Sequence, residues 1–287
     1  MNHGLKHILK KYLKYYKVKK RFKPEIRKEQ EELVRYYREC LLEEKLPNIT
    51  ESGFKLFSQF EEDGLLLYIF SIIGMKYKTF IEFGADDGIN SNSANLYYNH
   101  DFTGLYLDGN EKALNRGRYF YKKHRNPKSK VPSFKQAFIT AENINKLIED
   151  GGLKGDIGLL SIDIDGNDYW VWKAIDIVSP QVVIIETHNE FGLNDIIVPY
   201  DSEYFYPGKH NTYHGASPVA MTKLAKKKGY RLVGANELGF NFIYVREDLA
   251  NEFLPEVSVE SLLQHPSNTE ARKRFKAVKD WHFITED

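Results

Sequence analysis

Residues 79–88 read T-F-I-E-F-G-A-D-D-G, and this stretch decides the fold. A short apolar run carries the acid Glu82, Gly84 follows two residues later, and Gly88 follows four residues after that. The next residues, I-N-S-N-S-A-N-L, are typical of the beginning of a helix. A strand that turns through glycines into a helix lets a ligand lie against bare backbone. The stretch therefore predicts a turn that binds a nucleotide-like cofactor.

The glycine spacing excludes one common kind of cofactor site. A dinucleotide fingerprint requires G-x-G-x-x-G, whereas Asp86 and Ile89 stand where its second and third glycines would be. A glycine-rich turn without any ligand is the alternative interpretation. The residues downstream are needed to choose between the two.

The composition narrows the class of protein. The 287 residues are enough for one large α/β domain with additions. A net charge of +1 gives the whole molecule no signature of polyanion binding, so we expect no nucleic-acid partner. The 19 tyrosines suit a sugar or aromatic acceptor, or else a tyrosine-rich core. The single cysteine, Cys40, excludes an intramolecular disulfide and a cysteine zinc site.

The N-terminal region is strongly basic. Residues 1–28 carry eleven Lys or Arg and one Glu, with apolar residues at helical spacing, which predicts a basic amphipathic helix. This helix is expected either to contact the inner face of an anionic membrane peripherally, or to pack on the domain or on another subunit of a homo-oligomer. The longest apolar run, 65–73, is too short to span a bilayer. No secretory signal is recognisable, so the sequence predicts a cytoplasmic protein.

Alternating strands and helices predict an α/β fold, a Rossmann-like, doubly wound, mostly parallel sheet of seven strands. We expect a basic helical extension over residues 1–50, the main domain over 51–250, and a C-terminal helical tail packed on the domain over 251–287. The predicted strands are 78–83, 103–108, 133–139, 157–164, 182–186, 230–235 and 242–245. The predicted helices include 25–46, 91–98, 111–124, 141–150 with Thr140 as its N-cap, 169–175 and 218–228.

Ligands bind such sheets at the carboxyl ends of the strands. The second strand ends in Asp108, which is placed to accept both ribose hydroxyls of a nucleoside, although a solvated turn aspartate is the simpler alternative. The third strand brings Ala137 and Phe138, which either sandwich an adenine ring or pack in the core.

Acidic residues crowd the end of the fourth strand. Asp163, Asp165 and Asp168 would repel one another unless a cation or protons neutralised them. The fifth strand adds Glu186, and this set of oxygen ligands suits Mg²⁺. Such an ion would hold and polarise an acceptor hydroxyl. Capping of the next helix by Asp163, hydrogen bonding by Asp165 and the absence of a metal are the alternatives.

Two further groups are candidates for the reaction. His188 is placed to take a proton and Asn189 to complete the metal site, although a lone histidine is more often structural. The long loop 200–215 is expected to line an acceptor pocket or to form a lid. Tyr204, Tyr206, His210 and His214 of this loop could line such a pocket, and the candidate acceptor residues are Asp168, Tyr206, His210 and His214.

The acid-x-Gly-x-x-x-Gly turn resembles the first motif of class I S-adenosylmethionine-dependent methyltransferases. Over about residues 57–245 the chain resembles the FkbM-like branch, through S-Q-F-E-E-D-G, I-E-F-G-A-D-D-G, L-L-S-I-D-I-D-G-N-D and I-I-E-T-H-N. The family's strand-four motif is K-I-D-x-E-G-x-E, and here Asp165 and Asp168 stand in place of both Glu residues.

The resemblance implies S-adenosylmethionine as cofactor and methyl transfer to a hydroxyl, often of a sugar in a natural product or surface glycan. Catalytic roles would fall to Asp165 and His188, and metal ligation to Asp163, Asp165, Glu186 and Asn189. The cofactor would contact Glu82, Gly84, Ala85, Asp86, Gly88, Asp108, Gly109, Ala137, Phe138 and Asp163. The acceptor would be a small molecule or a glycan.

Two other functions fit parts of the sequence. Asp163-Ile-Asp165 is a literal D-x-D, the metal and nucleotide-sugar signature of one glycosyltransferase fold, but the glycine turn and Asp108 are not expected there. A non-catalytic binding protein on the same sheet is the third hypothesis. It would bind S-adenosylmethionine weakly or not at all.

Overall fold

A computed structural model describes residues 21–285, and its centre is one seven-stranded sheet in the order β3-β2-β1-β4-β5-β7-β6. Strands β1 to β5 run parallel, while β7 is antiparallel to both β5 and β6. The strands are β1 (Thr79–Phe83), β2 (Thr103–Asp108), β3 (Ser133–Gln136), β4 (Gly155–Ile162), β5 (Val178–Glu186), β6 (Tyr230–Ala235) and β7 (Asn241–Arg246). The predicted mostly parallel, Rossmann-like fold is confirmed.

Helices cover both faces of this sheet. They are α1 (Pro24–Leu42), α2 (Glu62–Ile73), α3 (Ala94–His100), α4 (Glu111–Lys123), α5 (Ile144–Glu149), α6 (Asp168–Ala174), α7 (Pro218–Lys227), α8 (Val259–Leu262) and α9 (Pro266–Phe275). Short 3₁₀ turns lie at Ile49–Glu51 and Asn189–Phe191. Within residues 21–285, no helix combines the length and the apolar character needed to cross a bilayer.

The core consists of two apolar layers, one on each face of the sheet. Successive strand residues point to opposite faces, so Ile81 joins one layer with Trp172 while Phe80 joins the other with Phe70. Parallel strands covered by helices on both sides are apolar at nearly every position. This is why the central strands could be recognised as continuous apolar runs.

Helix α1 is fastened to α3 by buried polar contacts. Arg27 donates two hydrogen bonds to the Asp101 carboxylate, at 2.9 and 2.8 Å. Gln30 is buried and exchanges hydrogen bonds with Asn95, and the ring of His100 donates to its side-chain oxygen at 2.7 Å. The amphipathic helix predicted for 1–28 lies mostly outside the described residues, which begin at 21.

Several predicted boundaries are wrong by a few residues, including the starts of β4 and β5 and both ends of α3, and three of them have a visible local reason. Helix α5 begins after Asn143, not after Thr140, because Thr140 donates its backbone N–H to the Asn143 side chain in a turn at 3.0 Å. Strand β3 ends at Gln136, where its partner strand β2 also ends. Strand β4 ends at Ile162, because the chain turns there to pass beside Gly84.

The first helix also differs from its prediction. It ends at Leu42 rather than at 46, since Glu44 adopts a left-handed φ of 56° that an α-helix does not accommodate. Pro24 occupies the first turn, where a missing N–H does no harm. The predicted domain boundaries stay predictions.

Candidate functional site

A cavity of about 1100 Å³ lies at the carboxyl ends of β1, β2 and β4. This is where parallel α/β sheets bind their ligands. Its walls come from three strand tips, the chain after β3 and the loop before α7. The lining residues are Gln59, Gly84, Asp86, Asp108, Gly109, Asn110, Gln136, Ala137, Phe138, Ile139, Asp163, Ile164, Asp165, Asn167, Tyr204, Phe205 and Tyr206.

Gly84 is the residue of the cavity wall that tolerates no side chain. Its φ is +69°, and a Cβ built there would lie 1.5 Å from the backbone oxygen of Asp163. The turn after β1 therefore passes directly against the end of β4. Only a residue without a side chain permits this approach, so the glycine joins two neighbouring walls of the site.

Asp108 holds its carboxylate at the cavity wall through backbone donors. One oxygen accepts from the N–H of Asp86 at 2.8 Å, and the other from the N–H of Asn110 at 2.7 Å. Asp86 has a left-handed φ of 47° and pairs with Arg116 at 3.3 Å. Gly109 lies on the same wall and accepts a hydrogen bond from the Gln136 side chain.

Glu82, Ala85 and Gly88 lie behind this wall, not in it. Glu82 is buried, and its carboxylate accepts from the backbone N–H groups of Asn92 and Ser93 at 2.9 and 3.0 Å. Glu82 thus shapes the turn, and its predicted contact with the cofactor stays a prediction. Ala85 is buried as well, and the Gly88 carbonyl is held within the core by the phenol of Tyr121.

Three predicted metal ligands converge. Oxygens of Asp163, Asp165 and Glu186 all lie within 4.8 Å of one another. Asp163 is half-buried, whereas Asp165 is exposed in the cavity with a left-handed φ of 56°. Strained, non-glycine backbone of this kind is concentrated at functional sites. We call these three residues the acidic trio.

The acidic trio is electrostatically unsatisfied. Burial, followed by the neighbouring carboxyls of Asp168 and Asp165, raises the pKa of Asp163 to about 8. Burial and the charge of Asp163 likewise raise the pKa of Glu186 well above its usual value. One Glu186 oxygen is buried without a hydrogen-bond partner among residues 21–285. Protons or a bound cation must therefore neutralise the negative charge of these carboxylates.

Two other predicted residues lie apart from the acidic trio's oxygens. Asp168 is buried and accepts the backbone N–H groups of Ile164 and Gly166, both at 2.8 Å, so it shapes the loop and does not line the cavity. Asn189 directs its amide N–H groups to Asn268 and Leu238. Both side chains therefore hold parts of the fold, while the acceptor role of Asp168 and the metal role of Asn189 stay predictions.

His188 lies beneath the site and does not line the cavity. It is buried, its Nδ1 is 3.6 Å from a Glu190 oxygen, and its ring centroid is 3.9 Å from that of His214. Burial, then the neighbouring His188, lowers the pKa of His214 to about 3. Gly215 is packed against His188, since a Cβ there would lie 2.4 Å from the ring. His214 thus also lies outside the lining.

The loop before α7 closes one side of the cavity with aromatic rings. Tyr206 lines it as predicted, but His210 does not; its ring faces Trp281 at 6.0 Å. Tyr204 lines the cavity as well, and its ring covers Gly166, where a Cβ would lie 2.3 Å from it. Its hydroxyl is buried with no partner among the described residues. The loop position of Tyr204 could be predicted from the sequence, but its contact with the distant Gly166 could not.

No protein-family model matches this chain, and no curated protein matches it. Similar solved structures are methyltransferases. The methyltransferase domain of bacterial CtHen1-C is 16% identical over 64% of this chain and 96% of that one, with a TM-score of 0.40. The SAH-bound N-terminal domain of EvdMO1 is 13% identical over 75% and 96%, with a TM-score of 0.42. The SAH-bound Podospora anserina methyltransferase PaMTH1 is 14% identical over 86% and 96%, with a TM-score of 0.43.

These identities bear on the fold alone, and the TM-scores carry no argument about activity. The chain is a Rossmann-like α/β protein by its own strand order. Its function must be argued from its own cavity.

Proposed function

We propose that this chain is an S-adenosylmethionine-dependent O-methyltransferase that acts on a sugar hydroxyl with help from a divalent cation. One observation carries the proposal. A single cavity is lined both by a glycine turn with an adjacent strand-tip carboxylate and, on the neighbouring wall, by Asp163 and Asp165 of the acidic trio. The first set suits a nucleoside cofactor, and the second suits a polarised hydroxyl acceptor.

The cofactor would lie along the wall formed by the ends of β1 and β2. Bare backbone at Gly84 permits close approach, and Asp108 supplies a carboxylate for the ribose hydroxyls. Phe138 is 51% exposed and lines the cavity beside Ala137, which leaves an apolar surface for the adenine ring. The residues present therefore fit S-adenosylmethionine.

The cation would be held by the acidic trio. Carboxylate oxygens are the ligands that Mg²⁺ prefers, and burial together with the neighbouring Asp168 and Asp165 carboxyls raises the pKa of Asp163 to about 8. When bound, the cation would hold and polarise the acceptor hydroxyl. Asp165, exposed in the cavity, can accept the hydroxyl proton as a general base.

The acceptor would approach past Phe205 and Tyr206, which are 78% and 44% exposed at the cavity. Aromatic faces with a polar edge suit the apolar faces and hydroxyls of a sugar. Placing hydroxyl, methyl carbon and sulfur nearly in line is the main contribution required of the protein, since the sulfonium is already an activated donor.

Thermal unfolding with different ligands tests the proposal. Saturation at about 100 times Kd stabilises a fold by about 2.7 kcal/mol, so S-adenosylmethionine and S-adenosylhomocysteine should each raise Tm by several degrees. Asp108→Ala should abolish most of this shift, and Asp280→Ala, a change at an exposed aspartate far along the chain, should leave it intact.

The same assay separates the rival functions. A Tm shift with nucleotide sugars and none with S-adenosylmethionine would favour a glycosyltransferase that uses Asp163 and Asp165. Mg²⁺ or Mn²⁺ titration of the EDTA-treated protein tests the cation separately. Unchanged methyl transfer in excess EDTA would remove the cation from the proposal and leave the methyltransferase assignment standing.

A further inference from the structure

A second charged feature lies outside the cavity, in the loop between α4 and β3. From residue 112 to 141 the sequence has nine Lys or Arg and no Asp or Glu. Four of these side chains are exposed in the last turn of α4 and in the loop that follows it: Lys122, Arg125, Lys128 and Lys130. None of the four forms a salt bridge with any residue in the described part of the chain. We call them the loop cations.

The loop is held in place by neutral contacts. The side-chain amide of Asn126 is buried and donates to the Tyr97 carbonyl at 2.7 Å and to Asp101 at 3.1 Å. Asp101 is the acid next to the loop, and its charge is already paired with Arg27 at 2.8 Å. The loop cations are therefore presented on an anchored segment with their positive charge uncompensated.

The loop lies at the end of the sheet opposite the cavity. The hydroxyl of Thr103, the first residue of β2, donates to the Lys130 carbonyl at 2.9 Å. Asp108, the last residue of the same strand, lines the cavity. A surface that contacts the loop cations therefore leaves the cavity mouth open.

Phe22, near the start of the described residues, lies beside this loop. Phe22 stacks on His124 with ring centroids 5.0 Å apart and ring planes 12° apart. Residues 1–20 contain seven lysines and no acid. Their apolar and aromatic residues at helical spacing are Leu5, Ile8, Leu9, Tyr12, Tyr15 and Tyr16.

We propose that the loop cations bind an anionic phospholipid surface. In the sequence, residues 1–20 and 112–141 together hold 16 of the 41 Lys and Arg and no Asp or Glu, although the net charge of the whole chain is only +1. Such a charge asymmetry favours a polyanion at one end of the molecule. In residues 1–20, apolar side chains alternate with lysines and could be buried in a lipid interface. This pattern favours a membrane over a nucleic acid as the anionic partner. The proposal is independent of the proposed enzymatic function.

Sedimentation with vesicles tests the proposal. The full chain should co-sediment with phosphatidylcholine vesicles that contain phosphatidylserine and should stay in solution with phosphatidylcholine alone. Each basic residue near an anionic surface contributes about a fivefold increase in partitioning. The variant with Lys122, Arg125, Lys128 and Lys130 all changed to Gln should therefore lose at least about tenfold in binding to the anionic vesicles.

A matched variant controls for net charge. Lys154, Lys209, Lys276 and Lys279 are exposed elsewhere on the chain, and changing all four to Gln should leave vesicle binding within about twofold. Deletion of residues 1–20 should weaken binding independently of the loop. Unchanged Tm in each variant shows that the fold is intact.

Three outcomes would overturn the proposal: equal binding to neutral and anionic vesicles, equal loss in the two quadruple variants, or loop-dependent binding to duplex DNA or RNA without binding to vesicles. The third outcome would identify the same surface as a nucleic-acid site.

Discussion

The two sides of the cavity satisfy their carboxylates in different ways. On the β1–β2 side, both oxygens of Asp108 accept backbone N–H groups, and Glu82 behind it accepts the N–H groups of Asn92 and Ser93. On the β4–β5 side, Asp163 and Glu186 have pKa values raised by burial and by neighbouring carboxyls. The carboxylates of the β1–β2 side have hydrogen-bond donors within the protein, whereas those of the β4–β5 side require protons or a cation.

The β1–β2 side is therefore a preorganised binding surface, whereas the β4–β5 side is a cluster of carboxyls that repel one another. A carboxylate held by backbone donors keeps its position and its charge, so it can recognise hydroxyls without rearrangement. Crowded carboxyls are an unfavourable arrangement that a divalent cation would relieve. The proposed cofactor and cation therefore address two different physical situations within one cavity.

The largest expected effect comes from the position that joins the two sides. Gly84→Ala places a methyl group 1.5 Å from the Asp163 carbonyl at a φ of +69°. We expect the free energy of unfolding to fall by more than about 3 kcal/mol, or the chain not to fold. Urea unfolding followed by circular dichroism measures this.

Gly109→Ala is the control for that substitution. Gly109 lines the same cavity, but the nearest atom to its added Cβ is the Ala137 carbonyl at 3.9 Å. Stability should stay within about 0.5 kcal/mol of the unchanged protein. If the two alanine variants were equally stable, the two sides would not be coupled through Gly84.

An intermediate effect is expected from pH and Asp163 in metal-free protein. The pKa of Asp163 rises from 3.8 to about 8 on folding, so the folded state holds this proton more tightly than the unfolded chain. Its contribution to stability is present below pH 3.8 and is lost as pH rises through about 8. Near the upper end of this range, Asp163→Asn should be more stable than the unchanged protein by about 2 kcal/mol.

Urea unfolding in EDTA across this pH range is the measurement for Asp163. Asp280→Asn, at an exposed site, should reproduce the curve of the unchanged protein. The same Asp163→Asn variant should bind Mn²⁺ at least about tenfold more weakly, since it lacks one anionic ligand. Parallel pH curves for Asp163→Asn and the unchanged protein would show that this carboxyl is not strained.

Much of this architecture could be predicted because buried parallel strands are apolar runs that end in turn residues. The prediction for 103–108 coincides with β2, and the prediction that carboxylates meet at the tips of β4 and β5 required only the parallel topology. Strand-tip residues follow from chain order. That rule brought Asp163, Asp165 and Glu186 together in advance.

The remaining site residues depend on packing that the sequence does not show. In the sequence, Glu82 and Asp168 are carboxylates at strand ends like Asp108. Only the structure reveals that both accept hydrogen bonds from nearby backbone N–H groups and do not line the cavity. Tyr204 enters the site because its ring fits over Gly166, 38 residues earlier in the chain. Contacts between residues so far apart are decided by loop placement and not by local pattern.

The smallest expected effect compares two buried tyrosine hydroxyls, one in the core behind the β1–β2 wall and one in the cavity lining. Tyr121 donates to the Gly88 carbonyl at 2.6 Å and lies 2.7 Å from the Tyr106 hydroxyl, whereas the Tyr204 hydroxyl has no partner among residues 21–285. Tyr121→Phe should lower the free energy of unfolding by about 1–2 kcal/mol, because the Gly88 carbonyl loses its shorter hydrogen bond and the buried Tyr106 hydroxyl loses a partner. Tyr204→Phe removes a buried hydroxyl that has no hydrogen bond, so the free energy of unfolding should stay the same or rise slightly.

Urea unfolding of both variants, measured side by side, tests this comparison. A loss at Tyr204 equal to that at Tyr121 would mean that the β4–β5 side is already satisfied without a ligand.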